Sequence, residues 1–399
     1  MLHLTNEINS LKTPYFLIDT KGIKKLICEL RGSLDKYFSS NIIGYSFKTN
    51  NLPWIIQYMR NNNMWAEVVS SDEYDLALKM GYSPEKIIFN GPIKSKEKFI
   101  LAIEQGSIVN IDSQRELTWL GECDKNKFDK VKIGLRVNFC IEDKCPGESQ
   151  CGIEDGRFGF SYETGALEKV ITQLQTIGIS LSGLHLHCSS KTRSVDIYHT
   201  IAKIATEIVS KYDLSLQYID VGGGFFGGVQ GKPTFEDYIL TIKKELSINP
   251  KLKDITLIVE PGMSLVGANI DYVTTVVDLK KTKNNYFALL DGSRIHVDPL
   301  FKKTNYTYYI ISGGLSTADT VEKILCGFTC MEGDRFFKTF KTLCVGDKVV
   351  FQKVGAYTMG LSPQFIQFYP PVYAVTEDNK LIIARRQVNS DEFYSLGRV

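Results

Sequence analysis

From residue 22 to residue 265 the chain alternates between amphipathic stretches at helical spacing and short apolar runs, and this pattern limits the fold more than any other feature. "KGIKKLICELRGSLDKYF" spaces its apolar residues for one face of a helix, and the "IIGYSF" that follows reads as a strand. "LPWIIQYMRNN" opens with Pro53 in its first turn, where an N–H has no intrahelical partner in any case, and precedes the strand "WAEVV". "SSDEYDLALKMG" carries a serine N-cap and ends at Gly81 before "KIIF", and "SKEKFILAIEQG" repeats the arrangement before "SIVNI". "SQRELTWLGEC" precedes "KVKIGLRV", and after a loop over 139–160 "TGALEKVITQLQTIG" precedes "LSGLHLH". "VDIYHTIAKIATEIVSKY" leads to "LQYIDV", and "TFEDYILTIKKEL" to "ITLIVE". Eight consecutive units favour closure into a (β/α)8 barrel of the TIM type over an open doubly wound sheet, and no G-x-G-x-x-G fingerprint follows the first strand.

Beyond residue 265 the texture changes to short, turn-separated β-rich runs such as "KVVFQKVGAY" and "PPVYAVTEDNKLIIARRQV". The expected architecture is therefore α/β: a barrel over 22–265, and an all-β domain made of 266–399 together with 1–21. The early strand "YFLID" has no place in the barrel and is expected to join that second domain. The length of 399 residues agrees with two domains. A net charge of +2 leaves no footprint for nucleic acid. The start "MLHLTNEINSLKTPYF" lacks a basic region followed by an apolar core, and no later run approaches membrane-spanning length, so a cytoplasmic protein without a membrane partner is expected. Nine cysteines, an odd number, read as free thiols. Cys140, Cys145 and Cys151 cluster in "CIEDKCPGESQC" without the paired hooks of a zinc site; they read as incidental thiols on a mobile loop, and no metal is expected.

In such barrels the chemistry sits where the strands end. Lys48 ends strand one, His187 ends strand six, "DVGGGFFGG" follows strand seven, and Glu260 in "EPG" ends strand eight. Each has a plain explanation alone: a lysine reaching water, a core histidine, a flexible turn. Of His185 and His187, one is expected to face the barrel and the other the helices. Glu260 is harder to dismiss, because an unpaired buried carboxylate is expensive. Together the four suit pyridoxal 5'-phosphate (PLP). Lys48 would form a Schiff base with its aldehyde, Gly222, Gly223 and Gly224 would offer backbone N–H groups to its phosphate, His187 would lie against its ring, and Glu260 would face its pyridine nitrogen.

The motifs that carry this reading occur in order: "YSFKTN" (45–50), "HCSS" (187–190), "DVGGGF" (220–225), "EPG" (260–262), "CMEGD" (330–334) and "GAY" (355–357). In this set the chain resembles the fold-type III PLP decarboxylases, the group that contains the diaminopimelate and ornithine decarboxylases. The resemblance implies that Lys48 carries the cofactor, His187 stacks on it and Glu260 pairs with its nitrogen. It implies that Ser190, Gly224, the turn through Gly262 and Met263, and Tyr357 hold the phosphate, with Glu73, Arg136 and Asp220 supporting the site from behind. It further implies a homodimer with shared active sites, in which the partner subunit donates Cys330 as the acid that protonates the carbanionic intermediate.

The chain departs from the family at the substrate end. Met331 stands where the best-known members place an acidic residue for the substrate's distal amine, with Glu332 one position later. Asp298 stands where diaminopimelate decarboxylases carry an arginine, and Lys302 where ornithine decarboxylases carry an aspartate; Arg294 or Lys302 is a candidate to receive an acidic tail. "HCSS" lacks the family's glycine, and Met263 replaces the arginine of many members. The expected activity is removal of the α-carboxylate of an amino acid, diaminopimelate- or ornithine-like or a specialised conjugated one. Alternatives are an amino-acid racemase, which needs a second base opposite the lysine, and a non-catalytic relative that binds a partner.

Overall fold

The computed structural model describes residues 7–122, 131–152, 154, 156–312 and 321–397. The chain divides into two compact units, residues 26–264 and residues 1–25 with 265–399.

In the first unit eight parallel strands close on themselves. β1 (Tyr15–Asp19) belongs to the other unit; the barrel runs through β2 (Asn41–Ser46), β3 (Trp65–Val68), β4 (Ile87–Phe89), β5 (Ile108–Ile111), β6 (Lys132–Asn138), β8 (Gly183–His185), β9 (Tyr218–Asp220) and β10 (Thr256–Val259). β10 pairs with β2 through Leu257 and Asn41, which closes the ring. The two-residue strand β7 (Phe160–Ser161) pairs outside the ring with the end of β6. Helices follow the strands as the spacing of apolar residues requires, and two of them begin on serine caps: Ser70 and Ser95 accept from the backbone N–H groups of Glu73 and Lys98.

The barrel floor is apolar, with Ile88, Ile108, Tyr218 and Ile258 buried together and Ile42 and Trp65 packed on them. Tyr218 lies across the interior because two neighbouring strands leave room for it. A Cβ on Gly134 would come within 2.2 Å of the Tyr218 hydroxyl, and one on Gly183 within 2.3 Å of its ring. One large aromatic thus fills the space of two missing side chains, and its hydroxyl, donating to Asn110 Oδ1 at 2.8 Å, marks where the core turns polar.

The second unit is built on a mixed sheet in the order β15 (Arg335–Thr339), β14 (Lys323–Cys326), β12 (Tyr286–Leu290), β11 (Ile270–Lys281), β1, β17 (Val372–Val375) and β18 (Leu381–Arg385). β16 (Lys348–Phe351) pairs with β11 and with β13 (Tyr308–Ile311). β1 runs antiparallel to β11 and parallel to β17, so the first strand of the chain completes this sheet, as expected from its sequence. Tyr15, Val273 and Val350 form the centre of its core. Among the described residues no helix is long and apolar enough to cross a membrane.

Candidate active site

Strand ends and the turns after them bring a chain of charged and amide groups to one rim of the barrel. Lys48 sits in the short 3-10 turn Phe47–Thr49 just past β2, rather than on the strand itself. Its Nζ lies 2.5 Å from Glu67 Oε2 on β3. The other oxygen of that carboxylate accepts from Asn90 Nδ2 at 3.0 Å, and the same Nδ2 lies 2.6 Å from Glu260 Oε1. His185 Nε2 is 3.5 Å from Glu260 Oε2 and 3.0 Å from Arg136 Nη1. Arg136 Nη2 donates to the His187 carbonyl at 2.5 Å. Six side chains from six strands and their loops therefore form one connected network.

The electrostatics of this network follow from its burial. Burial works to raise the Glu260 carboxyl, but His185 and the Lys48 cation outweigh it and hold the group below the usual carboxylate range. Asp220 is pushed well up, first by burial and then by the neighbouring Glu260 charge, so the pair holds one proton on the Asp220 side. Burial, then the Arg136 cation, lowers the His187 imidazole to about 3, and burial lowers His185 as well, against the neighbouring Glu260 charge. Residues two apart on an extended chain point the same way. His185 reaches Glu260 and His187 lies against Gly222, so both rings meet the site, which corrects the expectation that one would face the helices.

The glycine loop is shaped by contacts that a side chain would block. Gly222 has φ +70° and a Cβ there would lie 2.4 Å from His187 Nδ1; on Gly223 it would lie 2.1 Å from the Glu260 carbonyl oxygen. Gly222 N–H donates to Asp220 Oδ1 at 2.8 Å and Tyr198 OH to the Gly223 carbonyl at 2.8 Å, which fixes the loop beside the turn of residues 260–262. Gly262 lies against Thr49, where a Cβ would meet Oγ1 at 2.0 Å.

Ser190, Met263 and Glu73 also lie in the barrel unit, and the candidates from Arg294 onward lie in the second unit. Cys330, Met331 and Glu332 occupy the turn between β14 and β15, exposed, with Glu332 held by Arg335 at 2.5 Å. Asp334 anchors this turn: its carboxylate accepts from Ser293 Oγ at 2.9 Å, Arg294 N at 2.9 Å, and Thr329 N and Oγ1 at 3.1 and 2.7 Å. Arg294 donates to Asp298 from Nε and Nη2 at 3.0 and 2.8 Å, and Lys302 reaches Asp298 through its backbone N–H at 2.9 Å. Tyr357 is exposed with φ +55°.

The family described as "Pyridoxal-dependent decarboxylase, pyridoxal binding domain" matches residues 25–267. The chain belongs to this family of pyridoxal-dependent decarboxylases. It is 28% identical over 397 residues to a probable chloroplastic diaminopimelate decarboxylase of Oryza sativa subsp. japonica, covering 96% of this chain and 79% of the relative. It is 27% identical over 399 residues to the diaminopimelate decarboxylase of Helicobacter pylori (strain J99), with 96% and 95% covered. The solved structure of a diaminopimelate decarboxylase from M. jannaschi shares the fold at a TM-score of 0.86 and 21% identity, covering 99% of this chain and 94% of the other.

The decarboxylase's cofactor is pyridoxal 5'-phosphate, and the residues present fit it. His187 Nδ1 is buried without a hydrogen-bond partner, facing a glycine loop that is kept clear of side chains. Lys48 supplies an amine and Glu260 an ionised carboxylate on the same rim. The ligand atoms of His185, Asp220 and Glu260 also fall within 4.8 Å of one another, as in a metal site. The Arg136 guanidinium and the Asn90 N–H directed at them oppose a cation there.

Sequence reasoning missed Glu67, Asn90 and Asn110. Glu67 and Asn110 are single polar residues inside the apolar strands of "WAEVV" and "SIVNI", Asn90 stands just past the strand of "KIIFN", and each is buried. A lone polar group in or just after an apolar run was the one signal, too weak by itself to separate from ordinary alternation or a turn. The loop of residues 139–157 also differs from expectation. Ser149 bridges Ser190, Gln150 N–H donates to the Ser189 carbonyl at 3.0 Å and Lys191 N–H to the Glu148 carbonyl at 2.8 Å, so the described part of the loop is stitched to the segment after β8. Cys145 is buried, 3.5 Å from Thr200 Oγ1, which corrects its reading as an incidental loop thiol. Together with His187 and Cys188 the loop walls a cleft of about 600 Å³ including its open mouth.

Proposed function

We propose that this decarboxylase acts on an α-amino acid whose far end is conjugated, rather than on diaminopimelate itself, and releases the corresponding amine and carbon dioxide. The observation that carries this is the state of Asp298. It stands where the resemblance sets an arginine in diaminopimelate decarboxylases, and its carboxylate already accepts from Arg294, from the backbone of Lys302 and Lys303, and from Tyr306 OH at 3.1 Å. Neither the Arg294 charge nor the Asp298 charge is spare for a substrate terminus. Met331 beside Cys330 adds an exposed apolar side chain where a distal amine needs an acid.

The chain's own residues divide the work. The cofactor, when bound, accepts the electron pair that the departing carboxylate leaves on Cα. Lys48 Nζ would hold its aldehyde, and Glu67 Oε2 keeps that nitrogen oriented. Glu260 would face the pyridine nitrogen as an ionised acceptor, fixed by Asn90. His187 would lie on the ring face, positioned through its carbonyl by Arg136. Ser190, Gly224, Gly262, the Met263 backbone and Tyr357 would hold the phosphate. Cys330 Sγ would return a proton to Cα; its exposure on a turn, with exposed Met331, Leu361, Phe365 and Ile366 in the same unit, supports a homodimer in which the partner covers this surface. Eight described cysteines are free thiols, which supports a reducing, cytoplasmic setting.

Mass-spectrometric identification of the amine formed from a panel of diamino, acidic and conjugated amino acids tests the reading. Conjugated substrates should exceed diaminopimelate in kcat/KM by roughly 100-fold or more. Preferred turnover of free diaminopimelate would overturn it, and racemisation without gas release would overturn decarboxylation altogether.

A further inference from the structure

The substitution of Met263 for the arginine of many family members removes a cation from the turn after β10, yet the structure puts another guanidinium on the same spot. Arg193 comes from the segment after β8. Its Nη2 lies 2.9 Å from Met263 Sδ, and its guanidinium sits over the Phe226 ring at 5.1 Å from the centroid. Phe226 belongs to the glycine loop, directly after Gly224 and Phe225. The Arg193 backbone N–H donates to Ser190 Oγ at 3.1 Å. Arg193 thus touches each of the three elements proposed to hold the phosphate: the serine after β8, the loop after β9 and the turn after β10.

Its backbone is held for this placement. Arg193 has φ +55°, a left-handed conformation uncommon for a residue with a side chain, and such strain persists only where neighbours enforce it. Two bonds do so: the one to Ser190, and Tyr238 OH donating to the Arg193 carbonyl at 2.6 Å. Tyr238 also packs edge-on against Phe225 and Tyr198, the residue whose hydroxyl holds Gly223, so one aromatic cluster sets both the arginine and the glycine loop. A half-buried guanidinium resting on a thioether and a ring has its N–H groups poorly used there, because sulfur is a weak acceptor. A phosphate offers the planar, bidentate partner that a guanidinium matches best.

We propose that Arg193 is the phosphate-binding cation of this decarboxylase, replacing from the β8 side the arginine absent at Met263. The inference rests on pyridoxal 5'-phosphate as the cofactor and concerns which residue holds its phosphate. Met263 then serves as an apolar backing for the guanidinium, and the two positions exchange roles relative to the family pattern.

Titration of the apoprotein with pyridoxal 5'-phosphate and with pyridoxal, followed by absorbance and intrinsic fluorescence, separates this role from packing. R193A should weaken binding of the phosphorylated cofactor about 10- to 100-fold, the range of charge-assisted hydrogen bonds, and leave pyridoxal binding unchanged. K232A, which removes the other cation over Phe226, should change neither. The double variant R193A/M263R should recover most of the lost affinity, since it restores a guanidinium from the other side. Equal loss for both ligands, or no loss, would overturn the role of Arg193 while leaving the cofactor in place. Failure of the unaltered protein to bind either ligand would overturn the cofactor assignment and the inference with it.

Discussion

Asn90 Nδ2 sits between two carboxylates, 2.6 Å from Glu260 Oε1 and 3.0 Å from Glu67 Oε1. Through this one amide the residue that faces Lys48 is mechanically linked to the residue at the far side of the site. Replacing Asn90 with leucine leaves both buried carboxylates short of a donor. The variant should lose roughly 1–3 kcal/mol of stability, seen in urea unfolding, and should perturb the absorbance of the bound cofactor. An unfolding midpoint equal to that of the parent chain would show that the bridge carries no load.

Glu67 is fully buried while the Lys48 side chain is 38% exposed, so without the pair the carboxylate keeps only the neutral Asn90 amide while the lysine can find water. E67Q keeps the shape and removes the charge. We expect cofactor uptake to persist while kcat falls roughly 10- to 100-fold, since the ion pair orients the lysine nitrogen. Unchanged kcat would leave the pair with a purely structural role. K48A, by contrast, should abolish the Schiff-base absorbance.

Glu73 closes the start of the helix Ser71–Lys79, its carboxylate accepting from Val69 N–H at 2.9 Å. Burial pushes this carboxyl from 4.5 up to about 7; the Val69 bond opposes the rise and the Glu67 charge adds to it. The folded chain therefore keeps a proton that the unfolded chain gives up between these values. The stability due to Glu73 is complete below about pH 4.5, declines as pH rises toward 7, and is absent above. In E73Q that decline, on the order of 1–3 kcal/mol, should vanish from a pH series of unfolding midpoints. An identical slope in the variant would assign it to other groups.

Cys330 is exposed, so C330A should leave stability within about 0.5 kcal/mol of the parent chain. Cofactor binding should also be intact. Steady-state formation of the amine should slow by roughly 100-fold, the usual contribution of a positioned proton donor. Activity equal to the parent's would remove Cys330 from the mechanism.

Asp334 ties the Cys330 turn to Ser293 and Arg294 through four accepted bonds. D334A orphans several of these donors and should cost about 2–4 kcal/mol, with activity lost in step as the turn loosens. Calorimetry beside an activity assay checks this; loss of activity without loss of stability would place Asp334 in the chemistry itself.

The strands and helices were legible because a parallel barrel strand must be apolar on both faces and each crossover helix must be amphipathic, so the two periods alternate plainly along the chain. Lys48, His187, the glycines and Glu260 were legible because each breaks an apolar run at its end. Glu67 and Asn110 were not, since one polar residue inside a four-residue strand is indistinguishable from ordinary alternation. Asn90 escaped for a related reason: past the end of "KIIF" it reads as a turn residue. Its use depends on Glu67 and Glu260, which lie 23 positions before it and 170 after. The placement of Arg193 on Met263 was equally hidden, because nothing local to "SSKTRS" announces a partner after β10.

Among the described residues the ring closes where β10 meets β2, and β1 pairs with β11 and β17. During synthesis Lys48, Glu67 and Asn90 are all made long before Glu260, so a growing chain carries the lysine end of the site with nothing opposite it. The first strand can pair with β11 once residues 270–273 are made, but its other edge stays open until residues 372–375 emerge. A chain released early would therefore present unpaired strand edges on both units, making truncated products of this protein natural clients for chaperones and proteases.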